Sequence, residues 1–406
     1  MSHSIHDFTA KLRQPSLAEH VEAYVRWRRE LARARAAGEP EPSPPDQAPI
    51  SINLDLTTAC NYRCDHCIDW DILNTKHRHD DAVLRSSIRT MAERGLRSVI
   101  LIGGGEPTLY PGFTDFVRFL KELRLDVAVV TNGSRGDKLL EIADVLEERD
   151  WVRLSLDSGS NALFRAMHKP VQKSIELDEI CSWIPRIKDR NPRFRVGFSY
   201  IIVWKGASRQ EVAIHENIQE IVMATRRAKQ ARFDYIALKP VLERAADGAE
   251  VMDPDAAVEH ERAIARVRAE VEKAQALASD DFDVYVSTNL RALEDGSWRQ
   301  YGKQPRTCHM QALRQVLTPI GLFNCPAHRG VEKARIAGKD AYADADAAGA
   351  TAGKLKVLMD DFDASHECRE VTCLYNGVNW WLEKMIEDPR GDAALERSDE
   401  RLDLFL

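Results

Sequence analysis

Three cysteines, Cys60, Cys64 and Cys67, stand at CxxxCxxC spacing in the stretch Thr57-Thr58-Ala59-Cys60-Asn61-Tyr62-Arg63-Cys64-Asp65-His66-Cys67. It directly follows the apolar, strand-like run Ile52-Asn53-Leu54-Asp55-Leu56. Thiolates this close together on a turn can face one centre, which suits an iron–sulfur cluster or a soft metal ion. Three local thiolates leave one iron of a cubane cluster without a protein ligand. Structural zinc sites instead take four ligands in paired spacing. A zinc knuckle is the competing reading.

A chain of 406 residues has room for one large domain with appendages, or for two domains. Its 44% hydrophobic and 30% charged residues are those of a soluble globular protein. The formal net charge of -7 argues against a nucleic-acid-binding surface spread over the whole protein, so no nucleic-acid partner is expected. No apolar run approaches a membrane span and no signal-peptide core follows Met1, so no membrane association is expected. The expected location is the cytoplasm, where cysteines serve as ligands rather than disulfides. Seven of the eight cysteines fall into two groups, one near the front and one near the back, which suggests two metal sites.

Ser16 to Ala37 reads as a helix with Ser16 as cap, Glu19 at the capping-box position and a rough apolar stripe. The proline-rich Glu39–Pro49 that follows is expected to be an extended linker. From Ile50 onward short apolar runs alternate with amphipathic helical patterns. The expected strands are Ile52–Leu56, Ser98–Ile102, Asp126–Thr131, Val152–Leu156, Arg195–Val203 and Tyr235–Leu238. The expected helices between them are Ala82–Arg94, Phe113–Leu123, Asp137–Arg149, Leu177–Ile187 and Gln210–Ala228. Such alternation implies a parallel sheet with helical crossovers, an α/β fold. Asp255–Ala278 reads as a further helix and Val284–Val286 as a further strand.

Gly103-Gly104-Gly105-Glu106-Pro107 follows the second strand. Glycines let the backbone approach a ligand closely, and Glu106 places an acceptor at the strand end. Together with the cysteine motif, this run resembles the radical S-adenosylmethionine (SAM) superfamily, whose signature is CxxxCxxC followed by a GGEP motif. His66 fills the place where that family carries an aromatic residue before the last cysteine. The resemblance implies a partial (β/α)6 TIM-like barrel with its active site at the carboxyl ends of the strands. It further implies a [4Fe-4S] cluster on Cys60, Cys64 and Cys67 whose open iron binds SAM, with His66 stacking on the cofactor and Gly104, Gly105, Glu106 and Pro107 at the SAM amino group. Thr131-Asn132-Gly133 and Ser155-Leu156-Asp157-Ser158 resemble the family's strand-end positions around the SAM ribose and carboxylate. Ser155 and Asp157 point the same way if the strand stays extended. Asn132 and Gly133 read equally well as plain turn formers. Ser199 lies on a later strand where the family contacts SAM. Lys239 places a cation at another strand end, facing SAM or substrate or pairing with Glu243.

The rear group is Cys308, Cys325, Cys368 and Cys373, with a β-hairpin turning at Pro319-Ile320-Gly321 between the first two. It resembles the opening of the SPASM and Twitch auxiliary-cluster domains, with the glycine-to-cysteine interval one residue short. The cysteines are too few for a full SPASM set, so a single Twitch-type second [4Fe-4S] cluster fits better, and a structural zinc site is the alternative. Cys181, on the helix Leu177–Ile187, reads as core packing. Trp380 and Trp381 are expected to pack as core over the rear cysteines. Lys76-His77-Arg78-His79 reads as a polar surface loop. Val331–Ala352 is expected to be a surface excursion, and the stretch from Asp388 to be peripheral unless Leu402, Leu404 and Phe405 dock.

The expected division is 1–49 (helix and linker), 50–250 (partial barrel), 251–307 (bridge), 308–385 (auxiliary-cluster domain) and 386–406 (tail). The resemblance implies reductive cleavage of SAM to a 5′-deoxyadenosyl radical that abstracts hydrogen from substrate, with electrons from a flavodoxin- or ferredoxin-type donor. A sugar, aminocyclitol or nucleoside-like small molecule is the expected substrate, undergoing net oxidation or rearrangement. Peptide cross-linking or epimerisation is the alternative, and a zinc-stabilised scaffold protein is the reading from another class.

Overall fold

The structure, a computed structural model, describes residues 7–209, 212–244, 250–251, 260–388 and 402–406. Its main strands are β1 (Ser51–Leu54), β2 (Ser98–Leu101), β3 (Asp126–Thr131), β4 (Trp151–Ser155), β5 (Arg195–Ile202), β6 (Tyr235–Pro240), β7 (Asp283–Val286), β8 (Arg314–Thr318), β9 (Gly321–Phe323) and β10 (Arg335–Ala337). Its main helices are α1 (Phe8–Leu12), α2 (Pro15–Ala37), α3 (Asp81–Glu93), α4 (Phe113–Glu122), α5 (Gly136–Ile142), α6 (Asn161–His168), α7 (Leu177–Arg190), α8 (Ile221–Gln230), α9 (His260–Gln275), α10 (Ala345–Asp361) and α11 (Asn376–Glu387). The chain forms two compact units, residues 54–78 with 100–298, and residues 1–53 with 79–99 and 299–406. Among the described residues, no helix is long and apolar enough to cross a membrane.

In the first unit the strands run in the order β7-β6-β5-β4-β3-β2, and the pairs from β3 to β7 are parallel. Sequential parallel order with helical crossovers is the winding of a (β/α) barrel, as the strand–helix alternation predicts. Val152, Leu154, Val196, Phe198, Tyr200, Ile236 and Leu238 are buried on one face of this sheet. The other face carries Arg153 and Ser155 on β4, Gly197 and Ser199 on β5, and Tyr235, Ala237 and Lys239 on β6, because side chains alternate along a strand. Parallel register sets Arg153 beside Gly197 and Gly197 beside Tyr235, and one layer up sets Ser155 beside Ser199 and Ser199 beside Ala237.

Two expected helices change here, and a third is described only in part. The segment expected as Asp137–Arg149 stops at Ile142 and tightens into a 3-10 turn at Ala143–Val145. Asn191 explains it: its side-chain amide donates to the carbonyls of Ala143 at 2.7 Å and Leu146 at 2.9 Å, diverting them from helical bonding. The segment expected as Gln210–Ala228 becomes a 3-10 turn at Ile218–Glu220 and then α8; residues 210 and 211 lie outside the described residues. The buried Asn217 side chain holds that approach open by accepting from Val203 N–H at 2.8 Å and donating to the carbonyls of Asp157 and Ile201 at 2.9 and 2.7 Å. The expected helix Asp255–Ala278 is described from His260 to Gln275, and its beginning lies outside the described residues.

In the second unit the strand order is β1-β8-β9-β10. The expected hairpin is present, with Val316 opposite Phe323 and Thr318 opposite Gly321. Helix α2 starts at Pro15 with Gln14 as its cap, so Ser16 sits inside the first turn rather than capping it; proline presets the helical φ there. Two expectations are corrected in this unit, on Val331–Ala352 and on Trp380, and the alternative left open for the tail is the one found. Residues of Val331–Ala352 pair as β10 against β9 and begin α10, whose small Ala348 and Thr351 side chains are buried. The tail docks: Leu404, Phe405 and Leu406 are buried, Lys11 Nζ bonds Asp403 at 2.6 Å and the Phe405 carbonyl at 2.8 Å, and Ser98 Oγ donates to the Leu404 carbonyl at 2.7 Å. Trp380 is exposed, its indole N–H donating to the Lys303 carbonyl at 2.8 Å, while Trp381 packs partly buried against the core of α1, α2 and α11.

Candidate active site

The cysteine loop leaves β1 and is fastened at the carboxyl ends of the strands by its own backbone. Arg63 N–H donates to the His168 carbonyl at 3.1 Å, Asp65 N–H to the Met167 carbonyl at 3.2 Å, and Val171 N–H to the Asn61 carbonyl at 2.9 Å. Cys60, Cys64 and Cys67 are partly exposed as residues. Burial raises the Cys60 thiol to about 11, and the carboxylate of Glu106 adds to the effect. Burial raises Cys67 to about 12, with Asp69 adding, and Cys64 rises well above its ordinary value through burial and its neighbours Cys67 and Cys60. Bound metal cations would stabilise all three as thiolates.

Glu106 joins the glycine run to the cysteine loop and to β3. Its backbone N–H donates to the Ala59 carbonyl at 2.8 Å. One carboxylate oxygen accepts from Thr131 Oγ1 at 2.6 Å and Thr108 Oγ1 at 2.5 Å, and the other from Asn132 N–H at 2.7 Å. Burial still holds the Glu106 carboxyl above its usual range, against these donors. Gly105 needs to be glycine because a Cβ would sit 2.5 Å from the Thr57 carbonyl oxygen and 2.6 Å from that of Ala59. Gly104 adopts φ +63, and its Cβ would meet the Asp55 carboxylate at 2.6 Å. Pro107 opens a 3-10 turn directly after Glu106. Asn132 also donates to Asn61 Oδ1 at 2.9 Å, so it does more than form a turn.

The end of β4 departs from expectation. The strand stops at Ser155, and Asp157 adopts φ +47, so Ser155 and Asp157 do not alternate on one extended face. Asp157 instead takes the Ile201 N–H at 2.6 Å and lies 3.0 Å from His66 Nε2. Burial acts to raise its carboxyl, but the His66 hydrogen bond and the neighbouring imidazoles hold it below the usual range. Ser155 and Ser199 are adjacent in register on β4 and β5. Cys181 is buried in α7, as core packing requires. Lys76-His77-Arg78 is exposed, as a surface loop would be.

His168, at the end of α6, escaped the sequence reading. Its Nε2 lies 2.9 Å from the Leu156 carbonyl and its Nδ1 3.3 Å from Cys64 Sγ, which places the ring proton on Nε2. Burial lowers this imidazole to about 4. Cys64, His66 and His168 each offer a ligand atom within 4.8 Å of the others. A lone histidine at a helix end carries no sequence signal, because the fold alone brings it to a cysteine 104 positions away.

In the other unit, Cys308, Cys325, Cys368 and Cys373 lie within electrostatic reach of one another. Burial and then the neighbouring cysteine thiols raise both Cys368 and Cys373 well above the ordinary value. Asn379 Nδ2 donates to Cys308 Sγ at 3.6 Å, and the buried His309 beside it lies 2.8 Å from Tyr24 Oη and 2.5 Å from Glu383.

A family model described as the Radical SAM superfamily matches residues 54–236. A curated protein named S-adenosylmethionine-dependent nucleotide dehydratase, from Thermoplasmatales archaeon (strain ISO4-H5), is 34% identical over 114 residues, 28% of this chain and 39% of its own length. A GTP 3′,8-cyclase from Chlorobaculum tepidum is 35% identical over 118 residues, 29% of this chain and 35% of that one. Mycofactocin maturase MftC from Mycobacterium tuberculosis is 34% identical over 119 residues, 28% of this chain and 29% of its own. These matches therefore span well under half of each relative. Among solved structures, Streptococcus suis SuiB aligns with a TM-score of 0.53 at 12% identity, over 89% of this chain and 78% of that one. Native anSMEcpe with bound AdoMet aligns with a TM-score of 0.52 at 12% identity, over 84% of this chain and 98% of that one. At such identities the likeness is one of fold. Members of the matched family use a [4Fe-4S] cluster and SAM, which agrees with the thiol set of the cysteine loop. Residues 54–236 are therefore a Radical SAM domain by the family model that matches them.

Proposed function

We propose that the chain as a whole is a radical SAM enzyme that acts on a small molecule (a sugar, aminocyclitol or nucleoside-like compound) in a net oxidation or rearrangement. The observation that carries this reading is that Glu106 binds the cysteine loop and the end of β3 into one site at the strand ends. Cys60, Cys64 and Cys67 would hold the [4Fe-4S] cluster, with His66, Gly104, Gly105, Glu106, Pro107, Thr131, Asn132, Ser155, Asp157 and Ser199 around SAM. When bound, this pair supplies one-electron cleavage of a SAM carbon–sulfur bond and so a hydrogen-abstracting radical. The chain's residues position and exclude. Glycine at 104 and 105 keeps Cβ atoms out of the approach, and the Glu106 network fixes the strand ends before any ligand arrives.

Cys308, Cys325, Cys368 and Cys373 would hold a second cluster. Four thiolates leave no open iron, which favours electron transfer over substrate binding and hence a net oxidation. A flavodoxin- or ferredoxin-type protein would donate the first electron. The names of two relatives, a nucleotide dehydratase and a GTP cyclase, favour a nucleoside-like substrate. The name of the third, a maturase, supports peptide modification as a second reading.

The test is anaerobic reconstitution followed by reduction with dithionite in the presence of SAM. Wild type is expected to release 5′-deoxyadenosine, and Cys60/Cys64/Cys67→Ala to release none. Equal release from both proteins, or none from a wild type that carries iron, would sink the reading.

A further inference from the structure

The polar face of the parallel sheet holds more positive charge than it neutralises. Arg195, low on β5, is satisfied: it lies 2.6 Å from Asp283 and donates to Tyr285 Oη at 2.6 Å. Two cations nearer the strand ends are not. Lys239 makes no hydrogen bond or ion pair among the described residues, and it does not meet Glu243. Arg153 packs over the Trp151 ring at 5.2 Å, but its Nε is enclosed without a hydrogen-bond partner. Burial lowers the affinity of both groups for a proton, and for Lys239 the neighbouring Arg153 charge adds to that effect. The nearby acid, Asp157, is already engaged by His66 and the Ile201 N–H.

Small residues line the face between the two cations. Gly197 separates Arg153 from Tyr235 in register and makes room for the Tyr235 ring, which covers it: a Cβ there would lie 2.1 Å from that ring. One layer up stand Ser155, Ser199 and Ala237. Both residues are partly exposed, and an anion entering between two unpartnered cations gains charge-assisted hydrogen bonds to each.

We propose that Arg153 and Lys239 form a subsite for an anionic group of the substrate, a phosphate or a carboxylate, held over Ser199 and Ala237. This rests on the proposed enzymatic reading and narrows its substrate class to anionic molecules. The arginine recognises two oxygens of the anion and the lysine one, which fixes the substrate's orientation relative to the SAM site at Asp157. SAM itself carries a carboxylate, so the test separates that source from the substrate.

Reconstituted full-length wild type, Arg153→Met, Lys239→Met and Lys239→Arg would be titrated calorimetrically with SAM, inorganic tripolyphosphate and citrate. At least one of the two anions is expected to bind wild type and to weaken about tenfold or more in each Met variant, with Lys239→Arg recovering most of the loss. SAM affinity is expected to stay within about twofold throughout. Thermal melting of the Met variants is expected to stay level or rise, since each removes an uncompensated charge. Loss of SAM binding with the anions unaffected would assign the pair to the cofactor. Equal anion binding by every protein, no anion binding by wild type, or a lower melting temperature in both Met variants would equally overturn the subsite. Reductive SAM cleavage by the same wild-type preparation reports separately on the enzymatic reading.

Discussion

His66 Nε2 lies 3.0 Å from Asp157 Oδ2, joining the cysteine loop to the end of β4 across 91 residues of sequence. Asp157 is fully buried, so this bond satisfies a carboxylate that water does not reach. His66→Phe puts an aromatic ring in the same place but removes the donor. Folding stability should fall by about 1–3 kcal/mol, the cost of leaving a buried acceptor short of one partner. Iron content after reconstitution should be kept. Chemical denaturation checks the first expectation and an iron assay the second. Unchanged stability would mean that the pair gives no net stabilisation.

Gly105→Ala forces a methyl group against two backbone carbonyls at 2.5 and 2.6 Å, and neither can rotate away as a side chain would. The cysteine loop must shift. A loss of about 1–3 kcal/mol is expected, with lower iron retention than wild type. Thermal melting and iron titration measure both.

Asp126 gives a pH signature at the opposite end of β3 from the site. Burial raises its carboxyl to about 6, Arg149 opposes the shift and Asp150 adds to it; one oxygen is enclosed without a partner. The native state therefore holds this proton more tightly than the unfolded chain does. The penalty is absent below about pH 4, grows between about 4 and 6, and is complete above about 6. Asp126→Asn should gain about 1–3 kcal/mol at pH 7.5 and almost nothing at pH 4. Denaturant unfolding at the two pH values tests it, and an equal effect at both would refute the assignment.

Leu406 is 1% exposed and belongs to the core of α1, α2 and α11. Leu406→Ala should cost about 2–4 kcal/mol by transfer and cavity terms, as for an interior leucine. A change below about 0.5 kcal/mol, typical of surface positions, would show that the docked tail contributes little.

The rear thiols make a stoichiometric prediction. If both groups carry cubane clusters, wild type should bind about eight irons and Cys60/Cys64/Cys67→Ala about four. About four irons falling to none would remove the second cluster and the electron-relay role proposed for it.

Local pattern carried the first site further than it carried the fold's details. CxxxCxxC and the glycine run are contiguous motifs whose spacing is itself chemical, so Cys60, Cys64, Cys67 and Glu106 were legible directly. The strands were legible because apolar alternation is a property of neighbours. Helix ends were not. Asn191 and Asn217 set them by hydrogen bonds to distant backbone, and nothing in the flanking sequence announces which asparagine does so.

By itself the sequence determined the cysteine motif, the parallel α/β winding and the presence of two cysteine groups, because each is written in short-range spacing and periodicity. Only the tertiary structure decided that His168 lies against Cys64, that Asp157 leaves the strand to meet His66, and that Arg153 and Lys239 share one face with no ion-pair partner among the described residues. These are long-range juxtapositions. They depend on strand register and on the cost of enclosing charge, and both exist only once the chain has closed around them.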